Sequence, residues 1–282
     1  KQIAPAKHSH DYQPPTTGEW QRFQDLADAF YSENIEKAQE LAKTLNYRLI
    51  KFREQSSKQT LLGLLEQQDE QGTMRGWGSY FINPAADSNA LVESPHILFD
   101  RLTPEIAGQV FLLSKARGFL MAGAHRNANG LGSADVCNPI QSIFQAVHQS
   151  WTKNGATTWQ IHGFANPIAK GFPKNTQIVL STGKGQVSEP IFTLEQILEE
   201  RGFSSYVYNE LSAESAINQK LNEQVSGIKF SPLAGTQNVQ GIYSRQIGVP
   251  FLHIEIESHV RSQQKSREKV ASAIADAIVA SY

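Results

Sequence analysis

The chain has 282 residues, a formal net charge of −1 and 40% hydrophobic residues. This composition supplies enough apolar side chains for the core of one large α/β domain. The near-neutral balance gives no broad field that would attract nucleic acid or an anionic membrane, and no apolar run approaches the roughly 20 residues that cross a bilayer. The one cysteine, Cys137, excludes an intramolecular disulfide and a cysteine-cluster metal site. A metal ion would therefore need His, Asp or Glu ligands.

The first 17 residues of the chain differ in composition from the residues that follow. Residues 1–17 predict a loose, polar N-terminal segment, and residues 18–282 predict a single domain. The chain starts at Lys1, with neither a Met nor a signal sequence, which suits an exported protein after processing as well as a trimmed chain. We expect a periplasmic or secreted location rather than a cytoplasmic one. No sequence pattern indicates an oligomeric state.

The spacing of apolar residues predicts the elements in chain order. Residues 19–45 place apolar side chains at helical spacing, with Thr16 or Thr17 as the cap, and three strands follow at 47–52, 60–65 and 76–82. From there on, strands alternate with helices. The later predicted strands are 90–94, 118–122, 157–161, 177–181, 205–208 and 251–256, and the later predicted helices are 103–116, 140–151, 194–201 and 263–279.

This alternation predicts the fold class. Strands that alternate with helices indicate an α/β protein, here a three-layer α/β/α arrangement around a mixed, mostly parallel sheet. In such sheets, ligands bind beyond the carboxyl ends of the strands. Three predicted strands lead into turns that contain a histidine, so we expect a functional site at that edge.

The first of these turns contains His96 and Asp100. His96 follows Pro95 directly after a buried strand, and the proline ends the hydrogen-bonding ladder and fixes the turn. A neutral imidazole there is well placed as a metal ligand, and Asp100 can reach the same ion. The alternatives are a hydrogen-bonded turn histidine and a surface acid near the start of the next helix.

A second candidate ligand, His162, ends the strand 157–161. Gly163 follows it, and a glycine lets backbone or substrate come close. A lone histidine in this place would more often be structural. Two histidines that follow two strands of one sheet instead favour a shared site.

A cationic and amide pair follows the strand 118–122. The planar guanidinium of Arg126 is suited to bind both oxygens of a carboxylate, and Asn127 lies beside it in sequence. We expect Arg126 to bind a substrate carboxylate. The alternative for Arg126 is a surface ion pair.

Carboxylates interrupt the last predicted strand. Glu255 and Glu257 alternate with isoleucines, whereas a strand between two helical layers should be nearly all apolar. One interpretation is an edge strand with a wet face. The other is that Glu255 points into a pocket and acts as a general base, with Glu257 as its rival.

Three further polar residues are less informative. His148 lies on the apolar face of the helix 140–151, which predicts a packed histidine. Asp135, in a glycine-rich loop, suits a turn and equally the support of a metal ligand. Cys137 has no basic residue close by in sequence and no Gly-x-Ser-x-Gly motif is present, so a Ser or Cys nucleophile is not supported.

The order of these motifs resembles the zinc-dependent carboxypeptidase-like hydrolases, a group that includes metallocarboxypeptidases, succinylglutamate desuccinylases and N-formylglutamate amidohydrolases. The resemblance runs from about residue 76 to the C-terminus, and it implies a phosphorylase/hydrolase-like fold and a zinc ion. The histidine and acid of the first motif are separated by three residues instead of two, and the acid is Asp. The implied roles are metal ligand for His96, Asp100 and His162, substrate binding for Arg126 and Asn127, and general base for Glu255.

The sequence therefore predicts a zinc-dependent amidohydrolase or carboxypeptidase-like peptidase. Its substrate would be a small carboxylate-bearing molecule or a peptide, attacked by water that the metal activates and the glutamate deprotonates. One alternative is a catalytically inactive binding module of the same fold without metal. Another is a metal-independent hydrolase that uses His and Asp alone.

Overall fold

The computed structural model of the protein describes residues 4–130, 132–183, 188–208 and 233–282. These residues confirm the predicted α/β class, because helices pack on both faces of a nine-stranded mixed sheet. No helix among them is both long enough and apolar enough to cross a membrane. Residues 4–16 contain no helix or strand.

The elements follow the predicted alternation. The strands are β1 (Tyr47–Arg53), β2 (Thr60–Glu66), β3 (Ser79–Ile82), β4 (Ser88–Ser94), β5 (Ala116–Met121), β6 (Thr157–Phe164), β7 (Ile178–Ser181), β8 (Ser205–Val207) and β9 (Phe251–Glu257). The helices are α1 (Thr17–Tyr31), α2 (Ile35–Thr44), α3 (Thr103–Leu113), α4 (Ile143–Thr152), α5 (Glu189–Glu200), α6 (Val239–Gln246), α7 (Ser258–Ser262) and α8 (Gln264–Ala280). A short 3₁₀ turn covers Ile168–Lys170.

The sheet has the strand order β1-β2-β3-β5-β4-β6-β9-β7-β8. The central strands β5, β4, β6 and β9 are mutually parallel, and β7 is parallel to β8. The pairs β1–β2, β2–β3, β3–β5 and β7–β9 are antiparallel. Because the four central strands run the same way, their carboxyl ends meet at one edge of the sheet, where ligands bind in α/β proteins.

Two apolar cores, one on each face, make the three layers. On one face, α1, α2 and α4 pack against residues such as Leu91 and Leu120. On the other face, α3, α5 and α8 pack against residues such as Val92 and Trp159. Neighbouring residues of one strand, such as Leu91 and Val92, thus belong to opposite cores, as the period of two along a strand requires.

Three details differ from the prediction. The helix α6 (Val239–Gln246), capped by Asn238, lies where the sequence predicts no element. The predicted helix over 19–45 is two helices, because Glu33 has a left-handed φ of 59° and Asn34 caps the second helix. Thr16 caps the first with a capping box to Glu19, as expected of one of the two threonines. The edge-strand interpretation of 251–257 is wrong, since β9 pairs with β6 on one side and β7 on the other.

Candidate metal centre

The candidate residues meet at the carboxyl edge of the central strands. His96 comes two residues after β4, and Arg126 comes five residues after β5. His162 and Glu255 lie side by side on β6 and β9, as direct partners in the parallel register. The topology therefore brings together the histidines, the arginine and the glutamate that the sequence singled out.

The turn after β4 folds Asp100 back onto His96. The backbone N–H groups of Phe99 and Asp100 both donate to the carbonyl of His96, at 3.1 and 2.8 Å. The side chain of Asp100 then lies 3.1 Å from His96, and both residues are buried. The interpretation of Asp100 as a surface acid is wrong, because only 3% of the residue is exposed.

Three possible ligand atoms form a compact triangle. His96 Nδ1 lies 3.1 Å from Asp100 Oδ2 and 3.2 Å from His162 Nδ1, and the third side, from His162 Nδ1 to Asp100 Oδ2, is 3.6 Å. Ligands at the Zn–N and Zn–O bond lengths of about 2.0–2.1 Å in a tetrahedral site are about 3.3 Å apart. The triangle therefore has the size of one face of a zinc tetrahedron.

The opposite nitrogen of each imidazole is bound to an acceptor. His96 Nε2 donates to Asp135 Oδ1 at 2.9 Å, and His162 Nε2 donates to Gln160 Oε1 at 2.7 Å. In the neutral tautomers that these bonds select, both Nδ1 atoms carry lone pairs. These lone pairs and the Asp100 carboxylate then converge on one point, which is stable only with a cation between them.

The charges of the neighbours explain the proton affinities of this cluster. Burial alone would raise the pKa of Asp100, but its hydrogen bonds to His162 and His96 hold that pKa below its usual range. Burial opposes the imidazolium form of His162, yet Asp100 and Cys137 outweigh it and raise the pKa of His162 to about 9. A cation is thus favoured here, whether it is a proton or a metal ion.

Asp135 connects His96 to Arg126. Its carboxylate accepts bonds from His96 Nε2, from the backbone N–H of Cys137 at 3.2 Å and from Asn138 Nδ2 at 3.0 Å, and it pairs with the Arg126 guanidinium. A carboxylate behind a ligating histidine fixes the ring and raises its basicity. Of the two interpretations of Asp135, the structure favours the one in which its side chain supports another residue, here His96.

The two residues expected to bind substrate lie in different surroundings. Two cavities lie beside the histidine cluster, and Arg126 lines both of them. Its Nη1 lies 3.4 Å from His96 Nδ1. Asn127 is not among the residues that line either cavity. Its backbone N–H donates to His125 Nδ1 at 3.0 Å, and its carbonyl accepts a bond from His8. The structure thus brings Arg126, but not Asn127, to the histidine cluster.

Glu255 and Glu257 have different surroundings. Glu255 is 8% exposed, its Oε2 is buried with no partner among the described residues, and burial raises its pKa to about 7. Glu257 begins α7, where its carboxylate accepts bonds from His259 N at 2.5 Å and Ser258 Oγ at 2.6 Å. Glu257 is therefore a helix cap, and Glu255 is the carboxylate close to the histidines.

Two cavities flank the triangle, and His96, Arg126, His162 and Glu255 contact both. The cationic cavity, of about 400 Å³, is also lined by Phe99, Asp100, Gly163, Phe164, Ala165, Lys170, Leu233 and Arg261. The polar cavity, of about 260 Å³, is also lined by Cys137, Asn138, Gly235, Thr236, Gln237, Asn238 and His253. A substrate that occupied both would contact His96 and His162 from both sides and Asp100 from the cationic cavity.

Sequence reasoning missed the surroundings of Cys137. Its thiol contacts His96 and His162, and these imidazoles outweigh the effect of burial and lower its pKa. Distance along the chain concealed this contact, because residues 96, 137 and 162 belong to three different loops or strands. Among the described residues, three sets could hold a metal ion: His96–Asp100–His162, His96–Asp135–Cys137 and His162–His253–Glu255.

His148 is packed inside the protein, as its helical position predicted. It is fully buried, and its Nδ1 lies 2.8 Å from Glu93 Oε1 on β4. Its Nε2 lies 3.1 Å from both the Gln240 carbonyl and Ser244 Oγ on α6. This contact joins α4 to the sheet and to α6 through a buried polar network instead of an apolar one.

Comparisons with known proteins give a coarse structural likeness. Neither a protein-family model nor a curated protein sequence matches the chain. A metallo-carboxypeptidase from Burkholderia cenocepacia aligns over 89% of this chain and 67% of its own, with 8% identity and a TM-score of 0.40. A candidate metallopeptidase from Shewanella denitrificans OS217 aligns over 91% and 90%, with 10% identity and a TM-score of 0.36.

A third solved structure, the gene product Atu2144 from Agrobacterium tumefaciens, aligns over 69% of this chain and 90% of its own. Its identity is 11% and its TM-score is 0.39. Likeness at this level carries no argument about the reaction. The class of protein is thus defined by the α/β fold and by a buried His–Asp–His cluster at its ligand-binding edge.

Proposed function

We propose that the protein is a zinc-dependent hydrolase that cleaves an amide or peptide bond. The observation that supports this most is the triangle of His96 Nδ1, His162 Nδ1 and Asp100 Oδ2, with sides of 3.1, 3.2 and 3.6 Å. Two imidazoles and one carboxylate are a common ligand set of catalytic zinc, and three protein ligands leave a position open for water or substrate.

The donor set fits zinc better than calcium or magnesium, because those cations prefer oxygen ligands. A zinc ion bound at this triangle would polarise a substrate carbonyl and lower the pKa of a water molecule. Asp135 and Gln160 hold the two imidazoles from behind, so the ligand atoms would need little rearrangement.

Glu255 is the proposed general base. A carboxyl with a pKa of about 7 is well matched to proton transfer at neutral pH. It would take a proton from water as the water oxygen bonds to the carbonyl carbon. The same proton would then pass to the amine nitrogen as the carbon–nitrogen bond breaks.

Arg126 is proposed to bind a carboxylate of the substrate. Its guanidinium already pairs with Asp135, and about 30% of its side chain is exposed toward solvent. Lys170 also lines the cationic cavity, together with Phe99 and Leu233. An anionic molecule with an apolar part fits these surroundings, which suits a small carboxylate-bearing amide or a peptide end.

The proposal is tested by metal analysis combined with an activity screen. Protein purified without added metal should contain about one zinc per chain, and the double variant His96→Ala/His162→Ala should contain none. His259→Ala is the matched control, because His259 is an exposed histidine on α7. Activity on a panel of N-acyl amino acids and dipeptides should disappear with a chelator and return with zinc. A zinc-free protein that hydrolyses the panel, or a double variant that keeps full zinc, would contradict the proposal.

A second candidate function is supported by the contact between Cys137 and the two imidazoles. In a cysteine hydrolase, the thiol gives its proton to an imidazole and its sulfur bonds to the carbonyl carbon. The amine then leaves with that proton, and water hydrolyses the thioester. Cys137→Ala would abolish this reaction, whereas the zinc-dependent reaction should survive the change. Activity that resists chelators but is lost in Cys137→Ala would favour the second candidate.

A further inference from the structure

A row of buried polar side chains crosses the middle of the sheet. In the strand register, Glu93 of β4 lies opposite Gln160 of β6, and Gln160 lies opposite His253 of β9. The exposed fractions of Glu93 and Gln160 are 0%, and that of His253 is 4%. Polar groups buried this completely are costly unless they are hydrogen-bonded, so their contacts call for an explanation.

The contacts of Gln160 fix the orientation of its amide. Its Nε2 donates to Glu93 Oε2 at 2.8 Å, and its Oε1 accepts from Asn238 Nδ2 at 2.6 Å. A carboxylate can only accept, so the amide nitrogen must face Glu93. The amide oxygen then faces His162, whose Nε2 lies 2.7 Å away.

This orientation dictates where the proton of His162 resides. An amide oxygen accepts only, so His162 Nε2 must carry the hydrogen, and in the neutral ring Nδ1 is left with its lone pair. Nδ1 is the atom that faces His96 and Asp100. Glu93 therefore acts on the candidate metal centre through Gln160, without touching the centre itself.

We propose that Gln160, oriented by Glu93, is a positioning residue that fixes the tautomer of His162 and so presents its Nδ1 to the metal. The inference rests on the proposed function, because it assumes that His162 is a ligand. The two histidines are held differently: His96 has a carboxylate behind it and His162 has a neutral amide. The amide selects the tautomer without adding a second negative charge next to the cluster.

The test compares three variants by zinc affinity, measured by competition with a chromophoric chelator. Gln160→Leu removes the acceptor, and its zinc dissociation constant should rise about 10- to 100-fold, the usual effect of losing such a support. Gln145→Leu is the matched control. Gln145 is an equally buried amide, 1% exposed, but it bonds to Gln240 Nε2 at 2.7 Å rather than to a candidate ligand. Its zinc affinity should stay at the wild-type value while its thermal stability falls.

The third variant exchanges the two groups, as Glu93→Gln/Gln160→Glu. It keeps the buried charge and the side-chain lengths, and the bonds of these two positions to each other, to His162 and to Asn238 still have a donor and an acceptor. The weak bond from Gln160 Nε2 to Gln240 Oε1, at 3.4 Å, loses its donor, so some loss of thermal stability is expected. A carboxylate then accepts directly from His162 Nε2, so zinc affinity should equal or exceed that of the wild type. A purely structural role of Gln160 predicts no such recovery.

A spectroscopic readout keeps the inference testable if Gln160→Leu does not fold. Long-range ¹H–¹⁵N correlation spectra of the zinc-loaded wild type should show the His162 proton on Nε2. A proton on Nδ1 would overturn the inference, as would wild-type zinc affinity in Gln160→Leu or an equal loss in Gln145→Leu. If the wild type binds no zinc at all, the proposed function fails as well. If the wild type binds zinc and Gln160→Leu binds it equally, only the role of Gln160 fails.

Discussion

A buried carboxyl with one oxygen that lacks a hydrogen-bonding partner within the described part of the chain lies at Glu255, on a strand whose other face is apolar, and its Oε1 lies 4.0 Å from His253 Nε2. Its Oε2 finds no partner among the described residues, and Ile254 and Ile256 beside it belong to the opposite core. A buried carboxyl oxygen without a hydrogen-bonding partner destabilises the folded state. Such a group is retained where its proton is used, as at catalytic sites.

The two glutamates of β9 should therefore respond differently to substitution. Glu255→Gln should keep zinc bound and lower turnover by roughly two to four orders of magnitude, because the amide cannot take a proton. Glu257→Gln should leave turnover nearly unchanged and lower stability slightly, since the amide is a weaker cap for α7. The measurement is kcat on the best substrate of the panel, together with metal content. Equal loss of turnover in both variants would show that the strand end is sensitive as a whole, and Glu255 would not be the base.

The raised pKa of Glu255 also predicts a pH dependence of stability. The folded pKa of about 7 exceeds the ordinary value of 4.5, so the folded state holds this proton more tightly than the unfolded state does. The stability that comes from the neutral carboxyl is fully present below pH 4.5 and is lost as the pH rises through about 7.

The test follows thermal unfolding of chelator-treated protein. Between pH 5 and 8, the melting temperature of the wild type should fall relative to that of Glu255→Gln, which cannot ionise. Histidines far from Glu255 titrate alike in both proteins and cancel in the difference, whereas His162 and His96 interact with this carboxyl and contribute to it. Parallel curves would contradict a raised pKa at Glu255.

At the scale of elements, the end of β6 depends on a glycine. An added Cβ at Gly163 would lie 2.5 Å from Cζ of Arg261, a buried arginine of α7. This guanidinium donates to the carbonyls of Ile256 at 2.9 Å and Phe164 at 3.1 Å, and so joins the ends of β9 and β6. The sequence had suggested that Gly163 admits backbone or substrate, whereas the group that approaches it is a side chain.

Gly163→Ala should therefore push Arg261 out of place and cost roughly 1–3 kcal/mol of stability. Gly108→Ala is the matched control. Gly108 lies within α3, and its added Cβ would have nothing within 4 Å, so the change should stabilise the protein by up to about 1 kcal/mol. Thermal unfolding compares the two variants. If Gly163→Ala is neutral, the close approach of Arg261 does not constrain β6.

The periodicity of the chain was enough to predict most elements but not all of their surroundings. Strands β1 to β9 and most of the helices around them follow apolar spacing, which local sequence carries, whereas α6 does not. The buried face of β9 was harder, because His253 and Glu255 alternate with apolar residues as an edge strand would. Only the neighbouring strands show that this polar face is internal.

The residues of the candidate site form the same two groups: those that local sequence can indicate, and those that only contacts between distant parts of the chain reveal. His96, His162 and Glu255 could be found because each lies at the end of a predicted strand, where ligands of α/β proteins bind. Cys137 and Gln160 could not, since their importance comes from contacts with residues distant in sequence. A carboxylate within a predicted strand would have been the signal for Glu93, which lies in a run otherwise read as apolar.

For the molecule as a whole, zinc should be linked to folding. A ligand that binds only the folded state stabilises it by about 2.7 kcal/mol at 100 times its dissociation constant. The melting temperature of the wild type should thus rise with zinc, and that of His96→Ala/His162→Ala should not. Because protons compete for the raised-pKa imidazole of His162, the rise should be larger at pH 8 than at pH 6. A rise of equal size in the double variant would place the zinc elsewhere.

The N-terminal segment is linked to the candidate site by the loop after β5. The carbonyl of Pro5 accepts from His125 N at 2.9 Å, and the carbonyl of Ser9 accepts from Asn129 N at 2.6 Å. These bonds lie on either side of Arg126, the residue proposed to bind a substrate carboxylate. Residues 4–16 of the segment contain no helix or strand, but they supply acceptors that hold the arginine's loop against the sheet.

Deleting residues 1–11 should therefore loosen this loop while leaving the sheet intact. Without their acceptors, the amides of His125 and Asn129 should exchange with solvent much faster, because local opening no longer breaks a bond to the segment. Amides of the β1–β2 pair, on a different part of the sheet, should exchange as in the full chain and serve as the internal control. Hydrogen-exchange mass spectrometry measures both regions in one experiment. If exchange of the loop is unchanged by the deletion, the segment does not hold Arg126 in place. If the β1–β2 amides also lose protection, the segment instead stabilises the whole domain, and the boundary expected after residue 17 would not separate a dispensable tail from the fold.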